Sequence, residues 1–132
     1  MTATALKKER DRVDIQNSQA WQKVCTKADL VEFSGVAAWL ETAEGAAQVA
    51  IFYLPGQEAA NELFALDHFD PFSNANVIAR GIVGDLEGSA VVASPLYKQH
   101  FRLEDGQCLE DEEVKLRTWK IEFKGDEVWV EG

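Results

Sequence analysis

From Trp21 onward the apolar side chains either alternate with polar ones or gather in short β-branched and aromatic runs. Trp119, Ile121 and Phe123 alternate with Lys120, Glu122 and Lys124; Gly125-Asp126 follows, and then Val128-Trp129-Val130. Period-two alternation puts one face of a strand inward, and a two-residue Gly-Asp link is a hairpin signal, so this stretch is predicted to be an antiparallel pair. Gly35 to Leu40 and Gln48 to Leu54 read as a second pair around the turn signal Glu44-Gly45. Leu63 to Leu66 reads as a strand after the Pro55-Gly56 loop. Ile82-Val83 and Ala90 to Ala93 flank Gly84-Asp85-Leu86-Glu87-Gly88, a hairpin with a Gly-bounded loop. His100 to Leu103 runs into the turn dipeptide Asp105-Gly106, and only Ala28 to Val31 reads as briefly helical. The pattern therefore predicts an all-β domain of about eight to ten short strands, a small sandwich or barrel.

The first 20 residues break this pattern. They hold four basic and three acidic residues, no aromatic side chain and few large apolar ones. Such a segment buries too little surface to offset its ordering entropy, so the expected organisation is a mobile tail over 1–20 and one domain over 21–132. No apolar run follows the basic residues near Met1, so no secretory signal is expected, and a cytoplasmic protein is the simplest reading. The chain carries 13 Lys plus Arg against 23 Asp plus Glu, a net charge of −10. An acidic surface repels phosphate backbones and argues against nucleic acid as a partner. No apolar run approaches the roughly 18 residues of a membrane span, so no membrane partner is expected. The stretch between Lys27 and Arg80 contains no Lys or Arg but holds Asp29, Glu32, Glu41, Glu44, Glu58, Glu62, Asp67 and Asp70. It reads as a solvated acidic face, or as an electrostatic surface for a basic partner protein.

Two Cys and two His are the number that a Cys2His2 zinc site or a Rieske iron–sulfur centre requires. Here they are Cys25, His68, His100 and Cys108, with no short Cys-x-x-Cys or Cys-x-His pair among them. The spacing argues against a shared metal, and the thiols read as buried side chains. Gly81-Ile82-Val83-Gly84 lacks the third glycine of a dinucleotide loop. Asp67-His68-Phe69-Asp70 lacks the ligand ladder of a calcium loop. The acids Glu104, Asp105 and Glu110 to Glu113 read as a solvated turn. No Cys or Ser sits in a nucleophile setting with a His partner, so no catalytic residue is assigned.

Two segments carry more information. One is Asp70-Pro71-Phe72-Ser73-Asn74-Ala75-Asn76-Val77-Ile78-Ala79-Arg80-Gly81, and the other is Ser94-Pro95-Leu96-Tyr97-Lys98-Gln99-His100-Phe101-Arg102-Leu103-Glu104-Asp105-Gly106. Their layout resembles the two ligand loops of a Rieske domain. In that resemblance Asp70 and Ser94 stand at the two Cys positions, and Phe72 and Tyr97 at the two His positions. All four ligands are replaced. Together with Arg80 to Asp85 and Gly106-Gln107-Cys108-Leu109-Glu110-Asp111, these segments closely resemble the small subunit of the cytoplasmic NAD(P)H-dependent nitrite reductase, a Rieske-like family without the cluster ligands.

The resemblance implies a small antiparallel sandwich or barrel with two ligand-type loops at one tip. It implies no [2Fe–2S] cluster and no metal in this chain. FAD, sirohaem and an iron–sulfur cluster are expected on a large catalytic subunit, which this chain would serve as an accessory in the reduction of nitrite to ammonium. The void left by the cluster is expected to be filled by a polar and aromatic plug, with Phe72 and Tyr97 supplying bulk and Asp70 and Ser94 hydrogen-bonding to each other or to backbone amides. His68, Phe69, Asn74, Lys98 and Gln99 are the candidate docking contacts for the large subunit. The alternatives are an independent Rieske-type electron carrier and a module binding a small ligand or anion.

Overall fold

The computed structural model describes residues 20–56 and 61–132. The tail expected over 1–20 lies, but for Ala20, outside the described residues. The strands in chain order are β1 (Trp21–Thr26), β2 (Ser34–Thr42), β3 (Gly45–Tyr53), β4 (Leu63–Asp67), β5 (Phe69–Asp70), β6 (Ala75–Asn76), β7 (Ile82–Leu86), β8 (Ser89–Ala93), β9 (His100–Arg102), β10 (Thr118–Lys124) and β11 (Glu127–Glu131). Among the described residues helix is confined to two single 3-10 turns, Lys27–Asp29 and Ile78–Arg80. The brief helix expected over Ala28 to Val31 is the first of these, displaced toward the N-terminus because Thr26 and Asp29 close a capping box there.

A six-stranded antiparallel sheet runs in the order β1-β11-β10-β4-β3-β2. Its two outer strands are brought together by a side chain that imitates a strand. The Gln22 amide donates to Glu41 O at 2.5 Å and accepts from Glu41 N at 3.0 Å, so that β1 and β2 close the sheet toward a barrel. A three-stranded sheet, β7-β8-β9, packs on the outer surface of this barrel. The small hairpin β5-β6 lies between them in sequence.

Two cores result, and β3 serves both. Val49, Ile51 and Tyr53 point into the barrel with Leu40, Leu63, Trp119, Val128 and Val130. Ala50, Phe52 and Leu54 point out of it, against Leu66, Ile78, Val92, Phe101, Leu103 and Leu116. Burial on both faces is why this strand reads as an unbroken apolar run while β10, buried on one face, alternates.

The β7–β8 hairpin differs from its expected form. Gly84, Asp85 and Leu86 are strand, and the reversal is made by Glu87-Gly88 alone, both with positive φ (54° and 85°). Two consecutive left-handed residues match the right-handed twist of the flanking strands, which favours the tighter turn. Gly81 at the start of β7 answers a different demand. A Cβ there would come to 2.3 Å from Ala93 O, so only glycine admits the approach of β7 to the end of β8.

Candidate functional site

Two loops of the same construction meet at one end of the molecule. The first spans Asp70 to Asn74, between β5 and β6, and the second spans Ser94 to Lys98, between β8 and β9. In each, a short polar side chain precedes a proline, Pro71 or Pro95. In each, that side chain accepts the backbone N–H two residues on: Phe72 N to Asp70 Oδ1 at 2.9 Å, and Leu96 N to Ser94 Oγ at 3.4 Å. In each, an N–H four residues on closes the loop: Asn74 N to Asp70 O at 2.8 Å, and Lys98 N to Ser94 O at 3.1 Å. The closing residues adopt the left-handed conformation, with φ of 58° at Asn74 and 68° at Lys98. Asp and Ser favour such turns because their side chains reproduce a backbone acceptor, and proline presets the residue after them.

The loops are tied together at their first residues. Ser94 Oγ donates to Asp70 Oδ2 at 2.5 Å, and both residues are fully buried. Ser94 N also donates to Gln99 O at 2.9 Å, which anchors the second loop to the start of β9. A buried carboxylate is costly unless its oxygens are occupied, and here one oxygen takes an amide and the other a hydroxyl.

The large side chains divide. Phe72 is half-buried and packs against Phe101, with ring centroids 6.2 Å apart at 45°. Tyr97 is 61% exposed and Leu96 52% exposed, so Tyr97 faces water rather than filling the space between the loops. The expected plug is thus corrected to Asp70, Ser94 and Phe72, because the closed turn from Ser94 to Lys98 carries its middle residues outward.

His68 likewise departs from its expected place as a docking contact. It is 5% exposed and pins the base of the first loop to the 3-10 turn. His68 O accepts Ile78 N at 3.0 Å and His68 Nδ1 accepts Ala79 N at 3.1 Å. Burial, with the Arg80 charge added, pushes its pKa below the usual imidazole value and keeps the ring neutral, as an accepting Nδ1 requires. Of the other candidate contacts, Phe69, Asn74 and Lys98 are exposed and Gln99 is half-buried. Leu96 was missed by sequence reasoning; a lone leucine after Pro95 carries no periodic signal, and its exposure follows from the turn.

The remaining Cys and His belong to other work. His100 Nδ1 lies 2.7 Å from Glu110 Oε2, and the same carboxylate accepts His100 N. Burial pushes both thiols, Cys25 and Cys108, above the usual cysteine pKa, which disfavours thiolate. Among the described residues no group of three or more His, Cys, Asp or Glu is disposed to hold a metal. The acidic turn after Cys108 is organised by Gln107, whose Nε2 donates to Cys108 O, Glu112 O and Val114 O at 3.1 to 3.2 Å. A cleft of about 500 Å³ lined by Asn61, Leu63, Phe64, Leu103, Thr118 and Ile121 includes no residue of either loop. Among the described residues no helix is long and apolar enough to cross a membrane.

A nearly closed sheet carrying a three-stranded sheet, with two matched loops meeting at one end, defines a Rieske-type domain. A family model described as a Rieske-like [2Fe-2S] domain matches residues 20–131. The ferredoxin of Sphingomonas yanoikuyae B1 shares the fold at a TM-score of 0.64, covering 86% of this chain and 99% of its own, though only 16% identical. At closer range the chain is similar to the small subunit of nitrite reductase (NADH) from Salmonella typhimurium, 38% identical over 112 residues, 85% of this chain and 97% of that one. It is similar also to part of the nitrite reductase [NAD(P)H] large subunit of Klebsiella oxytoca, 36% identical over 113 residues, and spans 11% of that protein's length. The NMR structure of the Escherichia coli protein NirD superposes at a TM-score of 0.73 with 35% identity, covering 86% of this chain and 97% of that one. The chain belongs to the family of NADH nitrite reductase small subunits.

The family model's name implies a [2Fe–2S] cluster, and the residues at the loop tip do not fit one. Rieske irons take thiolate and imidazole, whereas Asp70 and Ser94 offer hard oxygens already bonded to each other, Phe72 has no donor and its ring packs on Phe101, and Tyr97 faces solvent.

Proposed function

We propose that this chain is the accessory subunit of a cytoplasmic NAD(P)H-dependent nitrite reductase, which docks its loop tip on a large subunit carrying FAD, sirohaem and an iron–sulfur cluster. In this reading the chain performs no chemical step. Its contribution is a rigid surface held by the Asp70–Ser94 bond, which ties the two loops together at their first residues. That bond is the observation that carries the proposal. It engages, in a purely structural contact, the two side chains that the resemblance sets at the thiolate positions of a Rieske domain, while Phe69, Leu96 and Tyr97 stay exposed. Exposed aromatic and aliphatic side chains on a preorganised loop are the anchors that interfaces use. Phe69, Asn74, Lys98 and Gln99 remain proposed contacts, joined now by Leu96 and Tyr97.

Reconstitution tests the proposal. Nitrite-dependent NAD(P)H oxidation by the purified large subunit is expected to rise when this chain is added. Activity that is the same with and without it refutes the accessory role. The reading as an independent electron carrier requires soft ligands that the tip does not offer, and iron analysis of the purified chain checks it separately.

A further inference from the structure

Among the described residues, the outer face of the six-stranded sheet is only partly covered. Over β3 and β4 it is buried, with Ala50, Phe52 and Leu66 under the three-stranded sheet and the second 3-10 turn. Over β2 it emerges. Gly35 marks that face, since a Cβ there would meet Ala79 O and the Phe52 ring at 2.7 Å. Strand alternation puts Ala37, Trp39 and Glu41 on the same side, and all three are exposed, Trp39 by 65%. Phe33 and Val31, just before the strand, are 49% and 54% exposed.

Trp39 differs from the other tryptophans in its company. Lys124 lies over the rings of Trp129 and Trp21, at 4.3 and 5.8 Å, and Arg117 lies 3.7 Å over Trp119. Trp39 has no such cation among the described residues. Glu41, two residues on, shares its face, and along the chain Glu32 and Glu44 are exposed within the stretch from Lys27 to Arg80 that has no Lys or Arg between those two residues; Lys23 of the adjoining β1 is paired with Glu127. An indole face attracts cations, and the Glu41 carboxylate on the same face attracts them too.

We infer that the exposed stripe of β2 centred on Trp39 is a second contact surface for the large subunit, which meets it with an Arg- or Lys-bearing face. The inference rests on the accessory-subunit reading and adds to it a site remote in sequence from both loops. The exposed indole and the Glu41 carboxylate beside it suit a partner that is basic and offers a cation to stack. The large subunit is the partner favoured because a related domain occurs within a Klebsiella oxytoca large subunit, in one polypeptide with the rest of it.

Titration of the purified large subunit with this chain tests the inference. Trp39→Ala is expected to raise Kd at least tenfold, as loss of a central aromatic anchor does. Its melting temperature is expected to stay at the wild-type value, because the side chain is mostly in water. Glu41→Lys is expected to weaken binding as well, and more at low salt than at high salt. Unchanged Kd for Trp39→Ala alongside weakened binding by Tyr97→Ala overturns the stripe and leaves the loop-tip reading standing. Wild-type chain that does not bind the large subunit overturns both. Self-association of the isolated chain that Trp39→Ala abolishes, or a penalty that vanishes once residues 1–19 are removed, assigns the stripe to another occupant and overturns the inference.

Discussion

Replacing Ser94 with alanine isolates the contact on which the loop tip depends. The substitution removes one hydroxyl from a fully buried residue and leaves Asp70 Oδ2 without the partner now 2.5 Å away. A hydrogen bond to a charged group contributes about 1.5–3 kcal/mol, and an unpaired buried acceptor also loses its former hydration. The expected loss is about 2–3 kcal/mol. For a domain of this length each kcal/mol shifts Tm by about 3–4 °C, so Tm should fall by about 6–12 °C. Urea denaturation should show a lower midpoint with an unchanged slope, since the surface exposed on unfolding hardly alters. Asp70→Asn alone and in combination with Ser94→Ala completes a double-mutant cycle, in which a coupling of about 1–3 kcal/mol is expected. A loss below about 0.5 kcal/mol for Ser94→Ala, with no coupling to Asp70, would refute the argument that this bond fixes the two loops.

Three further outcomes follow from the same geometry. His68 is held neutral in the folded state with its pKa below the ordinary 6.5, while the unfolded chain titrates near that value. The unfolded state therefore binds the extra proton first as pH falls, so stability is fully present above about pH 6.5 and declines below it; His68→Gln should flatten that decline in pH-dependent melting. Gly81→Ala forces a Cβ to 2.3 Å from the backbone oxygen of Ala93, which cannot rotate away; a loss of about 1–3 kcal/mol is expected by chemical denaturation, with no loss meaning that the approach of β7 to β8 is looser than described. Gln107→Leu deprives the carbonyls of Cys108, Glu112 and Val114 of their shared donor, so hydrogen exchange should accelerate in residues 108–114 before the rest of the domain.

Strand positions were legible where one face of a strand is buried and the other wet. The pairing of β10 with β11 was readable from alternation plus Gly125-Asp126, and the β2–β3 pair from two apolar runs around Glu44-Gly45. The end of β7 was not, because Gly84 to Leu86 carry turn-forming residues yet are held in the ladder by β8. At the tip, Asp70 and Ser94 were singled out by the resemblance to the two ligand loops of a Rieske domain. The direction of each following side chain was not legible. Phe72 and Tyr97 are both large aromatics, and nothing local says that one packs on Phe101 while the other faces water.

By itself the sequence determined the all-β class, the turns between β2 and β3 and between β10 and β11, and the acidic stretch before Arg80. These follow from side-chain chemistry and from short-range periodicity, which need no knowledge of distant neighbours. Only the tertiary structure decided that the carboxylate of Asp70 and the hydroxyl of Ser94 bind each other, that His68 is an internal clamp, and that Trp39 stands uncovered beside a face buried elsewhere on the same sheet. Each depends on which remote segment packs over a given residue, and long-range packing is set by the summed burial of whole faces rather than by any local run of residues.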